Sequence, residues 1–128
     1  MLIRELTESN EIDIKKIEAF ADHYFSKVGI DVRFTRHFIE RLRTRDSAIT
    51  GRELADLFKK EAQRWGKPIA AMGANSEAVL KDLSSDVNVP FVLKWDRVNS
   101  EFDLVAKTVM KKRNFYTPDR EFRVENKI

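Results

Sequence analysis

The chain has 128 residues, 42% of them hydrophobic and 35% charged, with no cysteine and a formal net charge of +3. That length suits one domain able to bury roughly two-thirds of its unfolded surface, and the missing cysteines remove disulfides, thiolate zinc sites and cysteine nucleophiles together. The stretch Met1 to Leu6 acquires charge too early for a signal peptide, and no apolar run approaches the roughly 18 residues of a spanning helix, so the expectation is a cytoplasmic protein without a membrane partner.

Residues 11–28 carry Ile14, Ile17, Ala21, Tyr24, Phe25 and Val28 at three- and four-residue spacing, with Lys15, Lys16, Glu18 and Asp22 opposite. This predicts an amphipathic helix closed by Gly29, with His23 on its solvated side. A second helix is expected after Thr35, from Arg36 to about Arg45. Thr50-Gly51-Arg52-Glu53 has the spacing of a capping box. It opens a third helix through Trp65, with Leu54, Leu57, Phe58 and Trp65 on one face and Gly66 and Pro68 ending it. Residues 77–83 fit either a short helix or a strand, and the turn residues Ser84-Ser85-Asp86 favour a strand. Val89–Trp95 and Phe102–Met110 are β-rich runs joined by the hairpin-length loop Asp96 to Ser100, and Phe122–Val124 suits a short last strand. No repeat or linker divides residues 1–128, so a single domain is expected. Its class is α+β, with N-terminal helices packed on a three- to four-stranded antiparallel sheet.

Positive charge is concentrated in two places. Arg33, Arg36, Arg41, Arg43 and Arg45 face one acid, Glu40, and Lys107, Lys111, Lys112 and Arg113 form a second tract with no acid. On a helix His37, Arg41 and Arg45 fall at i, i+4 and i+8, a basic stripe beside the apolar stripe of Phe38 and Leu42. Histidine exchanges protons near neutral pH, and arginine grips phosphate through two parallel hydrogen bonds. The plainer alternative is a solvated helix face on which Glu40 pairs with Arg36 or Arg43. In the second tract, strand alternation puts Phe102, Leu104, Ala106, Thr108 and Met110 on one face and Lys107 on the other. Lys107 and Thr108 could then serve one phosphate only through a twist or bulge. The cations Lys111, Lys112 and Arg113 run on toward Phe115 and Tyr116, a mixture suited to single-stranded nucleic acid. An edge strand guarded by lysines is the equally simple alternative. Two histidines without acidic partners at ligand spacing suggest no metal site, and scattered glycines offer no phosphate loop or cofactor cradle.

The run His37-Phe38-x-x-Arg41-x-x-x-Arg45, then Ile49-Thr50-x-x-Glu53-Leu54, then a strand ending Lys107-Thr108-Val109-Met110, resembles the RelE-like branch of the barnase/EndoU/colicin/RelE nuclease superfamily, including its phage-type members. The similarity spans about residues 33–124, with the helix at 11–28 as an addition. It implies a metal-independent ribonuclease that uses the RNA 2′-hydroxyl as nucleophile, toxin-like or phage-encoded and then acting in host cytoplasm. Under it, His37 would be the general acid or base and Arg41 would stabilise charge on the phosphate. Thr108 would donate to a non-bridging oxygen, and Lys107 would supply further charge. Arg45, Lys111, Lys112 and Arg113 would bind the strand. RNA is the implied partner, with an acidic inhibitor protein as another. His37 is the only well-placed group for proton transfer, so two alternatives stay open: a non-catalytic nucleic-acid-binding module, or a protein-interaction module on the same fold.

Overall fold

The computed structural model describes residues 13–44 and 48–125. Helix α1 (Ile14–Ser26) starts at Asp13, whose side chain accepts from the Lys16 N–H, and buries Ile14, Ile17, Ala21 and Phe25. Strand β1 (Ile30–Phe34) follows and alternates cleanly, with Ile30, Val32 and Phe34 inward. Helix α2 (Arg36–Arg43) is capped by Thr35 and buries only Phe38 and Leu42. Helix α3 (Gly51–Ala70) opens on the expected capping box of Thr50 and Glu53.

Five strands complete a six-stranded mixed sheet: β2 (Glu77–Asp82), β3 (Val87–Asp96), β4 (Glu101–Ala106), β5 (Met110–Lys111) and β6 (Arg120–Val124). The order is β1-β4-β3-β2-β6, with β5 also paired to β3. Strands β2, β3 and β4 form the antiparallel meander read from the sequence. The sheet is nonetheless wider than expected, because β1 adds parallel to β4 and β6 adds parallel to β2. The helices cover one face. Phe25, Phe38, Phe58, Phe91 and Phe122 are fully buried in the core between the two layers.

Two further expectations are corrected. Gly66 and Pro68 do not end α3, which continues to Ala70. A Cβ on Gly66 would lie 3.3 Å from Val28 Cγ1, so this glycine permits a close approach to the end of α1. Pro68 removes one helix hydrogen bond, while Ile69, buried completely, holds the extra turn to the core. The strand expected over Phe102–Met110 is broken. Phe91 pairs with Ala106 but Asn88 pairs with Met110, so residues 107–109 oppose only residues 89 and 90. The extra residue is a β-bulge. It shifts the alternation so that Val109 is buried and Thr108 and Met110 leave the face of Phe102, Leu104 and Ala106.

Pro90 accounts for the break. In an antiparallel pair its nitrogen faces β4 on the same side as its carbonyl, and it has no hydrogen to donate. The Lys107 N–H donates to the Pro90 carbonyl at 2.9 Å. The return bond comes from elsewhere, since the Thr35 hydroxyl donates to the Lys107 carbonyl at 2.9 Å. Among the described residues no helix is long and apolar enough to cross a membrane.

Candidate functional site

Thr35 joins the two basic motifs. Its oxygen accepts from the Phe38 N–H at 3.0 Å, which starts α2, while its hydrogen goes to the bulge at Lys107. Its own N–H donates to the Ala106 carbonyl at 3.1 Å. Phe38 is fully buried and Leu42 nearly so, and each contributes about 1.5–3 kcal/mol to seating the helix. Arg41, between them in sequence, is left on an exposed flank.

The result is a cleft of about 430 Å3 between α2 and β5. Arg41, Thr44, Lys111 and Lys112 supply its polar lining, and Ile49, Val109 and Met110 are among its apolar residues. The chain leaving β5 is held from beneath by Asn88, which is fully buried on β3. The Asn88 Nδ2 donates to the Asp86 carbonyl at 3.0 Å and to the Lys112 carbonyl at 3.1 Å. The Lys112 N–H donates to the Asp86 carbonyl at 2.8 Å. Asn88 and Thr35 position the cleft, and neither was singled out as a site residue by sequence. Asn88 had one signal, a lone amide between Val87 and Val89 in an apolar run.

Charge in the cleft is partly compensated. Lys111 Nζ lies 2.8 Å from Glu53 Oε2, so the capping-box glutamate also holds a cleft lysine. Neither Arg41 nor Lys112 has a side-chain hydrogen bond or ion pair among the described residues. Glu40 pairs with Arg36 at 3.1 Å, as one alternative had it. Arg113 is exposed beside the cleft, its Nε 3.7 Å from Asp86.

The remaining expected residues distribute differently. His37 is exposed on α2, one turn before Arg41, its side chain without a hydrogen bond or ion pair among the described residues, and it does not line the cleft. Lys107 lies on the sheet face away from the helices and pairs with Glu77. The hydrogen bond from Lys107 holds the Glu77 carboxyl below its ordinary range. The bulge falls where re-aiming was required, yet Lys107 and Thr108 do not reach the cleft lining. Arg45 lies outside the described residues.

A second titratable group gathers at the opposite end of β4. Asp31, Asp96, Glu101 and Asp103 are neighbours there, and Glu101 is pushed up to about 7 by the hydrogen bond it shares with Asp31. Among the described residues no cluster of His, Asp or Glu suits a metal ion. Carboxylates outnumber cations at that end, where Arg33 lies 4.0 Å from Asp103, whereas cations gather at the α2–β5 cleft. Comparison of the chain with protein-family models, with curated proteins and with solved structures finds no match.

Proposed function

We propose that the protein is a small ribonuclease-like domain that binds an RNA phosphate in the cleft between α2 and β5. The supporting observation is the convergence of two basic motifs far apart in sequence, with Arg41 from one and Lys111 and Lys112 from the other on a single concave surface. Arginine contributes the bidentate grip and the lysines contribute flanking charge. In the reaction implied by the nuclease resemblance, the 2′-oxygen attacks phosphorus and the bond to the 5′-oxygen breaks. The 2′-hydroxyl proton goes to a base, the leaving oxygen takes up a proton, and a 2′,3′-cyclic phosphate remains. His37, one turn from Arg41, is the candidate for proton transfer.

A second reading, a module that binds RNA without cutting it, is favoured by the same residue: His37 is outside the cleft lining and has no group orienting it among the described residues. The test is RNA cleavage in chelator by the wild-type protein beside Arg41→Ala and His37→Ala. The expected result is fragments with cyclic-phosphate ends, with the rate falling about 10²–10³-fold in Arg41→Ala as one phosphate donor is lost. Undiminished cleavage by both variants would reject the site. Binding without cleavage would select the module.

A further inference from the structure

The segment that leaves the cleft builds a second concavity. After Lys112 the chain crosses the sheet face away from the helices on its way from β5 to β6. There Asn114, Phe115, Tyr116 and Asp119, with Glu121 of β6 and Trp65 of α3 at the β6 edge, line a depression of about 600 Å3. Phe115 is pinned: Lys81 Nζ donates to its carbonyl at 2.7 Å and lies 6.0 Å from its ring centroid. The neighbouring Tyr116 is 84% exposed. Its ring has no aromatic or hydrogen-bonding partner among the described residues, so a large flat surface is presented to solvent by an anchored backbone. The side chains of Asn114 and Asp119 are likewise without hydrogen bonds among the described residues.

We propose that this concavity holds an unpaired base of the RNA strand whose phosphate occupies the α2–β5 cleft, with Tyr116 stacking on the base. The inference rests on the reading of that cleft given above. Lys112 lines the cleft and Asn114 the concavity. Their Cα atoms, two residues apart, are separated by no more than about 7.6 Å, a distance one nucleotide spans. Between them is Arg113, its side chain 81% exposed, so the rim carries positive charge.

The two depressions also open on different sides of the molecule. The cleft lies on the helix side of the sheet, where Lys111 pairs with Glu53 of α3, whereas the concavity runs from Lys81, on the face opposite Leu80 and Asp82, to Trp65 at the β6 edge. A strand occupying both turns sharply around residues 112–114. A duplex is too stiff for such a turn at this scale. A single strand bends freely, and its bases stack on exposed rings while cations follow its backbone. Asn114 and Asp119 then offer an amide and a carboxylate to the edge of the stacked base.

The experiment uses a single-stranded oligoribonucleotide, made uncleavable by 2′-O-methylation, with 2-aminopurine at successive positions. Fluorescence of this base falls when it stacks. At one position, wild-type protein should quench the signal, and Tyr116→Ala should lose the quench and bind about tenfold or more weakly. Tyr116→Phe should retain both. Arg41→Ala should weaken binding while the residual complex still quenches, and the same sequence as a duplex should bind about tenfold more weakly than the single strand. Binding without quench, or a quench and affinity unchanged in Tyr116→Ala, overturns the base site and leaves the cleft reading intact. Failure of the wild-type protein to bind the oligonucleotide at low salt overturns both.

Discussion

Glu61 shows how one side chain can set a pH response. It is completely buried on α3, where its Oε2 accepts from the Lys81 N–H at 3.0 Å and its Oε1 has no partner among the described residues. Burial pushes its carboxyl well above the ordinary 4.5, and Asp82 acts in the same direction against the Lys81 amide, Lys60 and Arg64. An acid raised in this way holds its proton more tightly in the folded state. Its contribution is therefore complete below about 4.5 and is lost as pH rises from there toward the folded-state value. Glu61→Gln removes the titration. The wild type should lose thermal stability relative to this variant as pH is raised from about 4 to 7. Parallel curves of Tm against pH would show that Glu61 does not titrate this way.

At the scale of elements, the molecule repeatedly replaces a missing or exposed backbone partner with a side chain. The Val32 and Phe34 N–H groups on the edge strand β1 donate to Asp22 and Glu18 of α1 at 2.9 and 2.8 Å. On the other edge, Trp65 Nε1 donates to the Arg123 carbonyl at 2.8 Å. Covered edges resist pairing with other chains. Thr35 belongs to the same class, since it supplies the hydrogen that Pro90 lacks and caps α2 as well. Thr35→Val keeps the shape but loses both bonds, and should cost about 1–2 kcal/mol. Thr35→Ser should cost less than about half of that. Urea denaturation measures both, and a cost for Thr35→Val under about 0.5 kcal/mol would mean that neither bond matters.

Across the whole molecule, charge is separated along β4. Asp31, Asp96, Glu101 and Asp103 sit at its start with Arg33 as a partial counter-charge, and the cleft lysines lie beyond its end, roughly 25–30 Å away at the rise of a strand. A net charge of only +3 therefore understates the local field. If two to four phosphates are neutralised, the logarithm of RNA affinity should fall against the logarithm of salt with a slope of about −1.5 to −3. Arg41→Ala should reduce the slope by about 0.7. Glu53→Gln, which frees Lys111 from its carboxylate while keeping a capping amide, should tighten binding and steepen the slope. A slope near zero for the wild type would exclude phosphate contacts.

The sequence by itself determined most of the local elements, because their signals are local. Apolar residues at helical spacing marked α1 and the Thr50–Glu53 pair marked the start of α3, while the turn residues 84–86 only favoured a strand for 77–83, which pairing with β3 and β6 decided. The run Ile30, Val32, Phe34 carried the same kind of alternation, but its arginine was read with the basic cluster and β1 was missed. Gathering charge into one cleft was a matter of tertiary structure. Whether Lys107, Thr108 and Lys111 share a face depends on a one-residue bulge, and a shift of one residue exchanges the two faces of a strand. That bulge arises opposite Pro90 and is held by Thr35, residues distant in sequence whose bonds exist only once the sheet has formed. The side on which each cation emerges was therefore settled by pairing and packing, not by composition.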